Sequence, residues 1–145
     1  MNLVQRVEHW GEVHHPRWTD VLRIALGIFL CYKGVQFAQN INVVTNLMSS
    51  SIPFSGLMLI LLGHYVVFAH ILGGFMLALG MLTRFSCILQ IPILLGAIIL
   101  VNISPDVWRP FSEILISAVT LLLLIYFLIV GSGPLSFDYY LDRQK

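Results

Sequence analysis

Residues 23–37 read RIALGIFLCYKGVQF, an apolar run that carries a lysine well inside it. The apolar run extends over about 20–37, which is long enough for a helix to cross a hydrocarbon core of about 30 Å. Because lipid offers no partner for backbone polar groups, and because the run lacks period-two alternation, it predicts a transmembrane helix. Lys33 is the unusual residue, since a cation inside a membrane span is costly.

Three further apolar runs of similar character follow along the chain, at about 56–82, 85–103 and 112–130. Of the 145 residues, 58% are hydrophobic and only 10% are charged, whereas a soluble domain has about 25% charged residues. The sequence therefore predicts an all-α fold, a bundle of four transmembrane helices that forms a single membrane domain over residues 1–145. It predicts a lipid bilayer as the surroundings and indicates no nucleic-acid partner.

The segment before the first span is amphipathic. Residues 2–15 read NLVQRVEHWGEVHH, in which Leu3, Val7 and Trp10 recur at helical spacing. Tryptophan suits the headgroup zone, where amphipathic aromatic rings collect. We expect the N-terminal segment 1–19 to contain a short interfacial helix.

The connection between the first two spans has two interpretations. Residues 38–54 read AQNINVVTNLMSSSIPF and carry no charge, and Ile41, Val44 and Met48 recur at roughly helical spacing. The segment is either an amphipathic cap on the outer surface or an ordinary polar loop that rests on the bundle.

Most basic residues fall on one side of the predicted bundle. The opposite side offers only Arg109. By the positive-inside rule, both termini and the tail 131–145 are expected in the cytoplasm, and the protein in the plasma (inner) membrane. The residues on the cytoplasmic side are Arg6, Arg17, Arg23, Arg84, Arg143 and Lys145.

Glycines mark one face of each of the first two spans. Small residues let helices approach closely in lipid, so these faces are predicted to pack within the bundle. The glycines are Gly27, Gly34, Gly73, Gly74 and Gly80.

Lys33 has polar neighbours at its own predicted depth. At about 1.5 Å per residue, His64 and Thr120 fall near the same level below the outer surface, and Glu113 lies just above. Either Lys33 extends to the surface by snorkelling, or these residues form a layer that binds a ligand. Counting residues gives the depth of each side chain and leaves its direction open.

His70 lies deeper, on the glycine face of the second span. We expect it to face protein, because that face is the one predicted to pack. An ionisable group inside a membrane is a functional candidate. The alternative is a neutral histidine that is hydrogen-bonded across helices.

A second group of charged residues is predicted at the cytoplasmic end. Asp20 precedes Arg23 by one helical turn, and Arg84 and Asp138 return to the same edge of the bundle. Buried cations need such partners, so we expect a structural charge cluster. The alternative is that these charged residues form an entrance for a substrate or a proton.

Three stretches resemble the DoxX family of small four-helix membrane proteins: RIALGIFLCYKG in the first span, HILGGFMLALGMLTR in the second, and GSGPLSFDYYL after the fourth. The resemblance covers nearly the whole chain and implies the same fold. Two positions depart from it, because His70 stands where members commonly have an acidic residue and Phe37 where they often have a lysine. The positions that fit are Arg23, Gly27, Gly34, Gly73, Gly74, Gly80, Arg84, Gly131, Gly133, Ser136 and Asp138.

The resemblance also implies a connection to redox systems, since some members are linked to thiosulfate:quinone oxidoreductase and to oxidative-stress complexes. The sequence has no phosphate loop, no Cys-x-x-Cys pair and no metal-ligand set, and it identifies no catalytic residue. Any redox chemistry must therefore come from a bound cofactor or a partner.

The leading hypothesis is a membrane subunit of a redox system that binds a quinone or a similar lipid-soluble molecule. In it, Lys33 and His64 donate to a carbonyl of the ligand and His70 relays protons. The alternatives are a non-catalytic subunit that anchors or stabilises an oxidoreductase complex, and a small-solute carrier. A homo-oligomer is also compatible with the sequence.

Overall fold

The computed structural model describes residues 2–14, 16–51, 53–103 and 111–144, without the side chains of residues 4, 7, 8, 12, 44, 47, 51, 100–103 and 111–113. This part of the chain contains helices and no strand, which confirms the all-α prediction. The helices are α1 (Leu3–Val13), α2 (Arg17–Gln39), α3 (Ile41–Ser51), α4 (Gly56–Leu79), α5 (Thr83–Ile103), α6 (Phe111–Val130) and α7 (Phe137–Asp142).

Two of the described helices, α2 and α4, are long and apolar enough to cross a membrane, with mean hydropathies of 1.5 and 1.9. α5 and α6 contribute the shorter apolar stretches Thr83–Ile99 and Ile114–Val130. Large apolar side chains such as Ile28, Phe68 and Leu122 are exposed on the outward faces of these helices. Extended exposed apolar surface of this kind suits contact with lipid.

The long helices pack in the order α2, α4, α5, α6. The start of α5 lies beside the C-terminal segment, because the Asp138 carboxylate accepts hydrogen bonds from the backbone of Leu82 and Thr83. Gly11 of α1 lies against the backbone of Val130 at the end of α6. Both ends of the chain therefore meet at one end of the bundle, which we call the terminal end, and α3 lies toward the other, the distal end.

α2 and α4 are in backbone contact at their glycines. A Cβ atom added to Gly27 would lie 2.5 Å from the backbone nitrogen of Ala78 and 2.6 Å from the carbonyl oxygen of Gly74. A Cβ on Gly74 would lie 2.7 Å from the carbonyl oxygen of Gly27. Only a residue without a side chain fits at this crossing, as in other close helix contacts within membranes.

α4 and α5 are joined by polar side chains. The Ser86 hydroxyl donates to the carbonyl oxygen of Gly73 at 2.5 Å, and the Gln90 amide donates to that of Ala69 at 2.6 Å. Gln90 is fully buried, and its Oε1 has no hydrogen-bond partner among the described residues. Such bonds hold neighbouring helices together where the hydrophobic effect cannot.

α4 ends at Leu79, earlier than the apolar run 56–82 suggests. Gly80 adopts a left-handed conformation with φ 71° and ψ 30°, and its N–H donates to the carbonyl oxygen of Leu77. Glycine reaches this conformation without steric penalty, so it ends helices commonly. The C-terminal segment fills the space beside it, since a Cβ on Gly80 would lie 2.6 Å from that of Ser136.

The connection 38–54 contains the helix α3, so its amphipathic interpretation describes the structure better than the loop. α3 packs on α4 where Gly63 leaves room for the side chains of Ile41 and Thr45. The C-terminal segment contains α7, which the sequence analysis did not predict. Its signal is Ser136, whose hydroxyl accepts a hydrogen bond from the backbone N–H of Tyr139 and caps the helix.

Candidate functional site

A cavity of about 490 Å³ lies among α2, α4, α5 and α6. Its volume is within the range of about 300–1,000 Å³ that is typical of small-molecule sites. Apolar side chains from α5 and α6 form much of its wall, and α2 and α4 supply most of its polar groups. The lining residues used below are Phe29, Lys33, Gln36, Phe37, His70 and Thr120.

α2 contributes one face to the cavity, because Phe29, Lys33, Gln36 and Asn40 recur at intervals of three and four residues. Lys33 is half-buried. Its Nζ lies 5.9 Å from the centroid of the Phe29 ring, within the range of a cation–π contact. Lys33 therefore leans from its own position toward the terminal end.

His70 is buried, with 3% of its surface exposed, and its ring reaches the cavity from α4. Nδ1 lies 2.9 Å from the carbonyl oxygen of Val66, and because a carbonyl only accepts, Nδ1 is the donor. Gly34 makes room for this side chain, since a Cβ there would lie 3.0 Å from the Cβ of His70.

Phe37 meets the His70 ring edge to face, with centroids 5.2 Å apart and an interplanar angle of 79°. These two residues are the positions at which the chain departs from the pattern of its resemblance. Because the two rings touch, both of these positions belong to one contact between α2 and α4.

The structure brings Lys33, His70 and Thr120 to the same cavity. His64 is elsewhere: it is exposed on α4, and its Nδ1 donates to the carbonyl oxygen of Ile60 at 2.8 Å. Positions 64 and 70 are about 120° apart on a helical wheel, so they cannot share a face. The side chain of Glu113 lies outside the described residues.

Two polar residues of the lining escaped the sequence analysis. Gln36 donates to the Tyr32 hydroxyl at 2.9 Å, and Asn40 donates to the carbonyl oxygen of Gln36 at 3.0 Å. Their spacing from Lys33 was a visible signal, since all three recur on one side of α2.

An apolar groove of about 320 Å³ lies between α2 and α6 and continues the cavity sideways. Cavity and groove share Phe29, Ile116 and Thr120. Thr120 adds little polarity, because its hydroxyl donates to the carbonyl oxygen of Ile116 at 2.8 Å. The remaining groove residues are Leu22, Ala25, Leu26, Leu115, Val119 and Leu123.

The residues of the predicted charge cluster make two neighbouring contacts at the terminal end. In the first, Arg23 and Asp20 are fully buried and 3.3 Å apart. Arg23 also donates to the carbonyl oxygen of Leu135 at 3.3 Å, and Asp20 accepts from the N–H of Leu135 at 3.2 Å. We call this arrangement of two side chains around the Leu135 backbone the terminal clasp.

The second contact is at the start of α5. Asp138 accepts hydrogen bonds from the backbone N–H groups of Leu82 at 2.9 Å and Thr83 at 3.3 Å. A carboxylate is stabilising there, because the first N–H groups of a helix lack partners within it. The Arg84 guanidinium lies at the start of the C-terminal segment, with its Nε 3.3 Å from where Gly131 would carry a Cβ.

Fold and site together define a helical membrane protein with a cavity between its long helices. A family model described as DoxX matches residues 19–103, and the chain belongs to the DoxX family of integral membrane proteins. The matched segment contains Arg23 of the terminal clasp, and Lys33 and His70 of the cavity. No match was found among curated proteins or among solved structures.

Proposed function

We propose that this DoxX-family protein binds a quinone, or a similar lipid-soluble ring compound, as a membrane subunit of a redox system. One observation carries the proposal: a cavity lined by Lys33, His70 and two phenylalanine rings continues into an apolar groove between α2 and α6. Ligand sites commonly combine apolar walls with a few polar groups in this way.

The cavity suits the ring of such a ligand. The Lys33 ammonium can donate to a ring oxygen, and Phe29 and Phe37 offer apolar surface to the ring itself. A ligand oxygen that accepts from Lys33 also stabilises this lysine inside the span, because an unpaired cation there is costly.

The groove suits a hydrocarbon tail. Its lining is apolar apart from Thr120, whose hydroxyl already donates within α6. A tail placed there would lead its ring into the cavity past Phe29 and Thr120, where groove and cavity meet. In this arrangement the ligand reaches the site from the bilayer, sideways between α2 and α6.

When bound, a quinone supplies the electron and proton chemistry that the side chains of this chain do not provide. The role of the chain is then to hold the ring, to orient it between Lys33 and His70, and to keep its tail in the groove. The partner that would exchange electrons with the ring is another component of the membrane system.

Lys33→Met should reduce the amount of quinone that co-purifies with the protein by about tenfold, equivalent to about 1.4 kcal/mol of binding free energy. Methionine keeps an unbranched side chain that is one atom shorter, and it removes the donor. Lipid extraction and native mass spectrometry of gently purified protein measure the quinone. His64→Phe is the matched control, because His64 lies outside the cavity.

Equal quinone in wild type and Lys33→Met would contradict the proposed site. Bulk phospholipid alone, together with a tightly held protein partner, would favour a non-catalytic subunit that anchors or stabilises an oxidoreductase.

We further propose that α2, α4, α5 and α6 all span the plasma membrane, with both termini in the cytoplasm. The basic residues at the terminal end support this orientation, by the positive-inside rule. Arg17, Arg84 and Arg143 lie there, whereas Arg109 lies outside the described residues.

Cysteine labelling tests the orientation. Gln144→Cys should react with a membrane-impermeant maleimide only after the membrane is opened, and Ser49→Cys should react in intact spheroplasts. Both positions are exposed on the structure, at the terminal end and on α3. The reverse pattern would place the termini outside.

A further inference from the structure

His70 and Lys33 have opposite hydrogen-bonding roles in the cavity. Because Nδ1 of His70 donates to the carbonyl oxygen of Val66, the neutral ring has an unprotonated Nε2 that can only accept. No hydrogen bond to Nε2 is found among the described residues. Lys33 is the opposite case, since an ammonium only donates. His70 thus offers the cavity an acceptor from α4, and Lys33 offers it a charged donor from α2, beside the neutral amides of Gln36 and Asn40 and the Ser117 hydroxyl.

The neutral ring is the form that this environment favours. His70 is 3% exposed, and no carboxylate is present among the described side chains that line the cavity. A buried cation without an anionic partner is strongly disfavoured. Nε2 is therefore an acceptor open to the cavity, and a ligand that covers it must bring a donor of its own.

The two groups lie toward opposite ends of the α2 face. Lys33 leans over Phe29, whereas the His70 ring contacts Phe37. Positions 29 and 37 of α2 are eight residues, or about 12 Å, apart along the helix. A ring placed between them meets the donor on one side and the acceptor on the other. One oxygen of the ring must consequently accept a hydrogen bond from Lys33, whereas the other must donate one to Nε2 of His70.

We infer that the cavity prefers the reduced, hydroxyl-bearing form of its ligand, a quinol, over the quinone. Both oxygens of a quinone only accept, so a bound quinone satisfies Lys33 and leaves Nε2 of His70 without a donor. A quinol hydroxyl donates to Nε2, and the oxygen of the other hydroxyl accepts from Lys33. The inference rests on the proposed function and specifies which form of the ligand the site holds.

The test compares a decyl-substituted benzoquinone with the corresponding hydroquinone. Their dissociation constants are measured by calorimetry on the full-length protein in detergent, without oxygen for the hydroquinone. The wild type should bind the hydroquinone about tenfold more tightly, because a buried acceptor without a partner is costly. The dimethyl ether of the hydroquinone, which cannot donate, should bind no better than the quinone.

Two variants assign the preference to His70. His70→Phe should remove the difference between the two ligands. His64→Phe should keep it, because His64 makes the same bond to its helix backbone but is exposed outside the cavity. If His70→Phe does not fold, the dimethyl ether still tests whether the preference depends on a donor, since it removes the donor from the ligand.

The outcomes separate the two proposals. Equal dissociation constants for quinone and hydroquinone, or a preference that persists in folded His70→Phe, would overturn the preference for the reduced form while the cavity stays a quinone site. Absence of binding by both compounds would overturn the proposed function as well.

Discussion

Arg23→Ala should lower the free energy of unfolding by about 3–5 kcal/mol, as expected when one partner of a buried ion pair is removed. Arg23 and Asp20 are fully buried in the terminal clasp. Without the guanidinium, the Asp20 carboxylate keeps the N–H of Leu135 as its one partner among the described residues, and the carbonyl oxygen of Leu135 loses a donor. Denaturant unfolding in detergent measures the change.

Arg17→Ala is the matched control for this prediction. Arg17 begins the same helix but is exposed, so its loss should change the free energy of unfolding by no more than about 0.5 kcal/mol. A double variant, Asp20→Leu with Arg23→Leu, should be less destabilised than Arg23→Ala, because it leaves no unpaired charge. Similar stability for Arg17→Ala and Arg23→Ala would mean that the terminal clasp contributes nothing.

Gly27→Ala should destabilise the protein by about 3 kcal/mol, at the upper end of what overpacking usually costs. The added methyl would lie 2.5 Å and 2.6 Å from backbone atoms of Ala78 and Gly74. A flexible side chain could move aside, but backbone atoms of α4 cannot, so α2 and α4 must separate. Unfolding in detergent measures the effect.

Gly96→Ala is the appropriate comparison, because it adds the same methyl group to the interior of α5. Nothing lies within 4 Å of a Cβ at Gly96. Alanine should there stabilise the protein by about 0.5–1 kcal/mol through its higher helix propensity. A Gly27→Ala protein as stable as Gly96→Ala would show that the close crossing of α2 and α4 is wrong.

The positions of the long helices could be predicted from the sequence because each of them coincides with a long apolar run. Their ends were harder to place. Gly80 ends α4 through a left-handed conformation within the apolar run, and Ser136 starts α7 through a local cap. Both are single-residue signals, and hydropathy averages over them.

The sequence predicted how deep the candidate site residues lie in the bundle, but it did not predict which way their side chains point. Rise per residue puts Lys33, His64 and Thr120 at similar levels, but only the contact between α2 and α4 decides which face of α4 meets the cavity. That contact turns His70 inward and leaves His64 exposed. Gln90 was missed because a single polar residue in an apolar run carries no periodic signal.

The partners of the charged residues could likewise be predicted only in part from the sequence. The spacing of Asp20 and Arg23 indicated a pair within one helix, and the two side chains are hydrogen-bonded. Their second partner is the backbone of Leu135, which no side-chain pattern can indicate. Asp138 likewise binds backbone N–H groups of α5.

The terminal clasp joins residues that are made at very different times. Arg23 and Leu135 are 112 positions apart, and Asp20 and Leu135 are 115 positions apart. At roughly 5–20 residues per second, a ribosome needs roughly 6–22 seconds to go from Arg23 to Leu135. Throughout that interval the buried pair in α2 lacks two of its hydrogen bonds. An unfinished chain therefore differs physically from a finished one, because its Asp20 and Arg23 lack the Leu135 backbone that completes the terminal clasp.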